Sequence, residues 1–240
     1  METVLIFGSN GALGRTLIDK LNNSFNFISA SRESFKNQSL ERRFDEEFGT
    51  NITCIINCAA VIGFDYCYRN KNDAFFVNSY LPQKIIQKSI EEKIPLLHFS
   101  TESVFDCNIE GTKYFEDDIP EPKTIYGKSK LLGECQSLIY ENYHTVCRLP
   151  ILFGTNNNKQ IIGQLVKKLR LNEEVNVSNN VFSTPINSED VAKFVSSWLT
   201  NKNNYLGRIV HLTSDNIISL FELVKYIKDE FNLSGKLIPV

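Results

Sequence analysis

The chain has 240 residues, 42% of them apolar and 22% charged, with a net charge of −2. That length supports one substantial core, or one large domain with a small appendage, and the composition excludes a disordered chain. The near-neutral charge, without a basic stripe, argues against nucleic acid or an anionic membrane as partner.

Six cysteines, none in a Cys-x-x-Cys pair, and only three histidines make zinc an unfavourable reading, so no metal is expected. The thiols read as reduced, as in the cytosol. Met1-Glu2-Thr3 has no basic region, and the longest apolar stretch, 52–64, is broken by Asn57 and too short for a bilayer. A soluble, cytoplasmic protein is expected.

Residues 4–7 read as a fully buried strand ended by Gly8. Leu13, Leu17, Ile18 and Leu21 fall at helical spacing over 12–21. A second strand is expected over 25–30, a polar stretch over 31–51 and a third strand over 54–57. A helix follows over 72–93, which Pro82 bends or restarts. Residues 96–100 read as a strand, 106–124 as a long functional loop, 124–142 as a helix and 145–149 as a strand closed by Pro150. The rhythm then loosens. A loop is expected over 154–160, a helix over 161–171 and a turn-rich stretch over 174–188. After these come a helix over 188–199 with Ser188 as N-cap, a strand over 208–212 and a helix over 219–231. Alternating strands and helices predict an α/β chain, a doubly wound parallel sheet with right-handed crossovers. No linker divides the chain. We expect a nucleotide-binding domain over 1–154 and a small substrate region over 155–240 that returns to the sheet over about 188–212.

Two stretches organise this scheme. The first is Gly8-Ser9-Asn10-Gly11-Ala12-Leu13-Gly14, which leaves the first strand and opens the first helix. Glycines permit a tight turn and close backbone approach. The helix N-terminus offers unpaired N–H groups and a positive dipole end to a pyrophosphate. The first two glycines are one residue further apart than in the usual fingerprint. The second strand ends in Ala30-Ser31-Arg32, where an NAD site places an acidic residue. Ser31 and Arg32 suit a 2′-phosphate instead, so NADP(H) is the preferred cofactor and NAD(H) the alternative.

The second stretch is Tyr126-Gly127-Lys128-Ser129-Lys130. Tyr126 and Lys130 are four apart on an expected helix and share a face. A nearby ammonium favours the phenolate and would lower the tyrosine pKa from about 10. The pair therefore suits proton donation to a carbonyl oxygen that receives hydride. Lys130 also suits the nicotinamide ribose. Thr101 ends a strand at the carboxyl edge of the sheet, where its hydroxyl can bind the substrate oxygen.

Together the glycine loop, Asn57-Cys58-Ala59-Ala60, Phe99-Ser100-Thr101-Glu102-Ser103-Val104-Phe105, Tyr126-Gly127-Lys128-Ser129-Lys130-Leu131-Leu132-Gly133-Glu134 and Arg148-Leu149-Pro150-Ile151-Leu152-Phe153-Gly154 resemble an extended short-chain dehydrogenase/reductase, most closely its dTDP-4-dehydrorhamnose reductase branch. The resemblance implies a Rossmann-type fold, a nucleotide-sugar substrate and a catalytic set of Thr101, Tyr126 and Lys130. It also implies cofactor contacts from Cys58, Ala59, Ala60 and Asn78, and substrate contacts from Thr101, Glu102, Val104, Phe105 and Tyr126. Relatives of this kind are often dimers, so a homodimer is the assembly to test.

The chain departs from the branch in four places. Glu102 stands where the branch has Asp. Val61-Ile62-Gly63-Phe64-Asp65-Tyr66-Cys67 replaces an acidic Val-Asp-x-Ala-Glu pattern. Ser183-Thr184-Pro185-Ile186 lacks the final Thr of a Gly-x-Pro-Thr turn, and the sequence stops at Val240 where relatives continue. The leading expectation is NADP(H)-dependent reduction of a 4-keto-6-deoxy nucleotide sugar for polysaccharide synthesis. The alternatives are an epimerase or dehydratase with retained NAD, and a non-catalytic regulatory subunit that binds NADP(H). Asp190, His98 and His211 read as structural residues.

Overall fold

The structure is a computed structural model that describes residues 1–30, 51–105, 112–138, 143–154 and 160–240. Ser31 and Arg32, on which the NADP(H) preference rests, lie outside the described residues, as do most of the 31–51 stretch and of the expected 154–160 loop.

Six strands form one parallel sheet. In chain order they are β1 (Thr3–Phe7), β2 (Asn26–Ala30), β3 (Cys54–Asn57), β4 (Leu96–Thr101), β5 (His144–Leu149) and, much later, β10 (Arg208–His211). Their spatial order is β10-β5-β4-β3-β1-β2. The chain leaves β1 toward β2 and then crosses back to β3 on its other side. In such a sheet, ligands bind outside the carboxyl ends of the strands where the order reverses, here between β1 and β3.

The sequence explains why the sheet is covered on both faces. Every residue of β3, β4 and β5 is buried. Within β1, Val4 and Ile6 pack against α1 (Ala12–Leu21) and α7 (Ser188–Thr200), through Leu17, Val191, Val195 and Trp198. The alternate residues, Leu5 and Phe7, face α4 (Leu81–Glu91) through Leu81, Ile85 and Ile86. This is the period-two alternation of a strand with apolar side chains on both sides. A second, smaller core lies beyond β5. It joins Ile162 and Leu169 of α6 (Ile161–Arg170), Val175 and Val177 of β7 (Glu174–Val177), and Val224 of α8 (Leu220–Glu230). Thus α7 and β10 belong to the large sheet, whereas the segments around them build the smaller core.

Several elements differ from expectation. The helix expected over 72–93 is three pieces: α3 (Lys71–Phe75), a π-turn (Phe76–Tyr80) and α4. Pro82 sits in the first turn of α4, where its missing N–H costs least, and the wider turn before it accommodates the ring. A further helix, α2 (Phe64–Arg69), precedes them. The N-cap of α7 is Asn187 and not Ser188: the Asn187 carboxamide oxygen accepts from the Glu189 N–H at 3.0 Å. Between 174 and 188 lie three strands where turns were expected. These are β7, β8 (Phe182–Ser183) and β9 (Ile186–Asn187). Their partners are distant in sequence: β12 (Lys236–Pro239), β11 (Ile218–Ser219) and β6 (Leu152–Phe153). Strands of two to four residues leave too short a pattern to read alone.

Candidate active site

The glycine loop lies at the reversal point. Gly8 has φ +79°, and a Cβ there would meet the Ala59 nitrogen at 2.6 Å; one at Gly14 would meet the Gly8 carbonyl oxygen at 2.4 Å. The loop after β1 therefore lies against Cys58 and Ala59 in a way only glycine permits. The N-cap of α1 is Gly11, with no side-chain cap and no acidic residue in the first turn. Its first N–H groups are left for an anion. These features fit the pyrophosphate of a dinucleotide. Leu13 serves the core with its side chain, so only its backbone is available to a ligand.

Residues 58–60 are held in place from below. The Asn57 carboxamide oxygen accepts from the Ala59 N–H at 3.1 Å, and its amide nitrogen contacts His98 Nδ1 at 3.0 Å. Asn78 is fully buried. Its carboxamide accepts from the Val61 N–H at 2.8 Å and donates to the Val61 carbonyl at 2.9 Å and to Ser129 at 3.0 Å. It pairs with Val61 as a neighbouring strand would, so its side chain braces the 58–61 segment from behind.

Thr101 and Tyr126, two of the three candidate catalytic residues, meet at the carboxyl edge of β4. Thr101 is the last residue of that strand. Tyr126 opens α5 (Ile125–Leu138), whose start is capped by Thr124, its hydroxyl accepting from the Gly127 N–H at 3.0 Å. A Cβ on Gly127 would fall 2.1 Å from the Ser103 carbonyl oxygen. This glycine lets α5 press against the turn after β4, and the Tyr126 and Thr101 hydroxyls form a hydrogen bond there. Phe64, more than half exposed, tilts against the Tyr126 ring with centroids 6.0 Å apart.

The electrostatics correct one expectation. Lys130 is buried, and its ammonium donates to the Phe99 carbonyl at 2.6 Å. Burial lowers its pKa to about 8, against the opposing pull of Glu134. Tyr126 is not shifted down. Burial raises its phenol to about 12, the Thr101 hydrogen bond opposes, and Cys67 and Glu102 add to the rise. Desolvation outweighs any ammonium effect because Lys130 is turned to the Phe99 carbonyl. The phenol is therefore protonated at neutral pH.

Beside this edge lies a cavity of about 350 Å³. Of the residues expected to touch substrate, Glu102 and Phe105 line it; Val104 is fully buried and does not. Both Glu102 carboxylate oxygens lie 2.9 Å from the Ser183 hydroxyl, which donates, and the Ile151 N–H donates to the same group. Burial nevertheless raises Glu102 to about 7. Arg148, Phe182, Ser183 and His211 complete much of the wall. The sequence reading marks Ser183 through its resemblance to a turn near the sugar nucleotide and does not assign Arg148, Phe182 or His211 to the site. His211 had been read as structural, although its place at the carboxyl end of a strand was a signal. Arg148 was visible only as part of a motif. Phe182 and Ser183 lie in the short strand β8, which joins the cavity only through tertiary pairing.

The family described as RmlD substrate binding domain matches residues 1–240. The spore coat polysaccharide biosynthesis protein SpsK of Bacillus subtilis is 27% identical over 242 residues, covering all of this chain and 83% of that protein. A dTDP-4-dehydrorhamnose reductase of Aggregatibacter actinomycetemcomitans is 27% identical over 238 residues, covering 96% of this chain and 79% of its own. The Bacillus anthracis dTDP-4-dehydrorhamnose reductase, solved in complex with NADP, superimposes with a TM-score of 0.88 at 23% identity, over 100% of this chain and 85% of that one. That last likeness speaks for the Rossmann-type fold. The first match spans the whole chain, and the ordered glycine loop, Thr101, Tyr126 and Lys130 lie within it: the protein belongs to the RmlD substrate-binding domain family, within the extended short-chain dehydrogenases/reductases.

Proposed function

We propose that the protein is a cytoplasmic, NADP(H)-dependent oxidoreductase that reduces the 4-keto group of a 6-deoxy nucleotide sugar, with Tyr126 as proton donor, in polysaccharide biosynthesis. The observation that carries this reading is the Tyr126–Thr101 hydroxyl contact at the carboxyl edge of β4, on the same sheet edge as a glycine loop shaped for a pyrophosphate. Bound NADPH supplies the hydride that adds to the carbonyl carbon.

The chain's own residues do the rest. Thr101 holds the carbonyl oxygen, and Tyr126 transfers its phenolic proton to that oxygen as negative charge develops there. An alkoxide is a stronger base than a phenolate, so the transfer runs downhill even from a phenol at about 12. Lys130 stabilises the phenolate left behind once it swings from the Phe99 carbonyl. The cavity beside Glu102 takes the nucleotide-sugar, and Gly8, Asn10, Gly11, Ala12, Gly14 and residues 58–60 hold the dinucleotide. Ser31 and Arg32 take its 2′-phosphate.

Retained-cofactor epimerase or dehydratase chemistry would need Glu102 free to move a proton. Its carboxylate is held by Ser183 and Ile151, which weighs against that reading. The test is a screen of purified protein with NADPH against 4-keto-6-deoxy sugar nucleotides, following nicotinamide absorbance. Wild type should consume NADPH stoichiometrically, and Tyr126→Phe should bind NADPH normally without turnover. Full activity in that variant sinks the mechanism; turnover with NADH alone sinks the cofactor preference.

A further inference from the structure

We propose that Arg148 is a positioning residue that joins the cavity to the helix carrying Tyr126 and Lys130, so that a ligand in the cavity sets the catalytic pair. The inference rests on the reading above that the cavity takes the nucleotide-sugar. Arg148 stands on β5 and is 3% exposed, yet it forms part of the cavity wall. Its Nε lies 3.2 and 3.1 Å from the two oxygens of Glu134, and its Nη2 lies 2.8 Å from one of them. Glu134 is one helical turn beyond Lys130 and two beyond Tyr126 on α5.

The other side of the same guanidinium faces the cavity. Nη1 donates to the Glu116 carbonyl at 3.4 Å and to His211 Nε2 at 3.2 Å. The guanidinium carbon lies 4.9 Å from the centre of the Phe105 ring, which in turn stacks on Tyr114 at 4.5 Å and 9°. The Glu116 carboxylate accepts from the His211 N–H at 2.9 Å, closing the ring of contacts. One rigid planar group thus touches α5, β10, the turn after β4 and the segment around 114–116.

As filler, this arrangement would be a poor choice. A buried ion pair adds little net stability over apolar side chains of similar volume. The guanidinium fork adds direction: its donors are fixed relative to one another, so moving the ring stack on one side turns Glu134 on the other. Lysine keeps the charge and loses the fork and the flat contact with Phe105. Glu134 also raises the Lys130 pKa, so the pair bears on the ammonium as well as on the helix.

The test compares wild type, Arg148→Lys and the double variant Glu134→Met/Arg148→Met, which leaves no unpaired charge. Both variants should keep their NADPH affinity within about twofold while kcat falls by roughly tenfold to a hundredfold, the cost of a small misplacement of reacting groups. Hydrogen exchange with dTDP as probe gives a second readout: dTDP should protect amides of 125–138 in wild type and leave them unprotected in both variants. Wild-type kcat in either variant overturns the proposal. So does a parallel loss of NADPH affinity and kcat in both, which marks a general packing defect. If wild type turns over no 4-keto sugar nucleotide, the functional reading fails and exchange alone decides; dTDP that leaves 125–138 unprotected in wild type then overturns the coupling.

Discussion

Near the reacting edge Lys130 is buried and Glu102 partly buried, and desolvation moves them in opposite directions along the pH scale. The Glu102 carboxyl rises from its ordinary 4.5 to about 7. In the window between those values the unfolded chain has lost a proton that the folded chain keeps, so stability falls as pH rises through it. The loss amounts to about 3 kcal/mol at most. Glu102→Gln should remove this slope, measured as urea unfolding free energies at about pH 5 and about pH 8; an unchanged slope places the titration elsewhere. For Lys130 the concern is rate. Its ammonium is lowered to about 8. The free enzyme's kcat/KM for reduction should therefore fall as pH passes that value. A profile flat to about pH 10, where an ordinary lysine titrates, would remove Lys130 from the reaction.

At the scale of elements, helix α5 shows where sequence reading works and where it stops. Tyr126 and Lys130 were legible because four-residue spacing on a helix puts two side chains on one face. The surface that α5 buries was not legible, because it is polar: Ser129, Lys130 and Glu134 are all buried, Ser129 against Asn78 of the π-turn, Lys130 against the Phe99 carbonyl of β4 and Glu134 against Arg148 of β5. Apolar periodicity cannot reveal such an interface. Nor could the sequence show that Gly127 is the point of closest approach to the Ser103 carbonyl. A Cβ 2.1 Å from a backbone oxygen requires a shift of about an ångström, so Gly127→Ala should displace α5 and lengthen the Tyr126–Thr101 contact. The expected outcome is a kcat roughly tenfold to a hundredfold lower with NADPH affinity retained, read from steady-state kinetics and cofactor titration. Wild-type kcat would mean that the helix yields without moving the phenol.

For the whole molecule, the Glu102–Ser183 contact joins the carboxyl edge of the large sheet to β8. The reacting edge and the cavity wall are thereby held as one surface, although they come from residues about eighty apart in sequence. A different surface bears on assembly. Phe76 and Tyr80 stack at 5.6 Å, and both are exposed beside Leu132, on the π-turn and α5. Exposed aromatic clusters of this kind mark association sites. Light scattering after size exclusion should give a dimer mass for wild type and a monomer mass for Tyr80→Glu with Leu132→Glu. A monomeric wild type overturns the homodimer expectation.

Order and identity along the chain were enough to read most of the alternation of strands and helices, a glycine loop between the first strand and the first helix, and Thr101, Tyr126 and Lys130 as a candidate set, because each is a local pattern with a fixed period or spacing. Their meeting was left to the tertiary structure. Parallel strands pair across long crossovers, so the neighbours of β1 and the partners of β7 and β8 depend on contacts no local window contains. The same holds for the direction of the Tyr126 pKa. Spacing placed an ammonium one turn away, but only the folded environment shows that burial outweighs it.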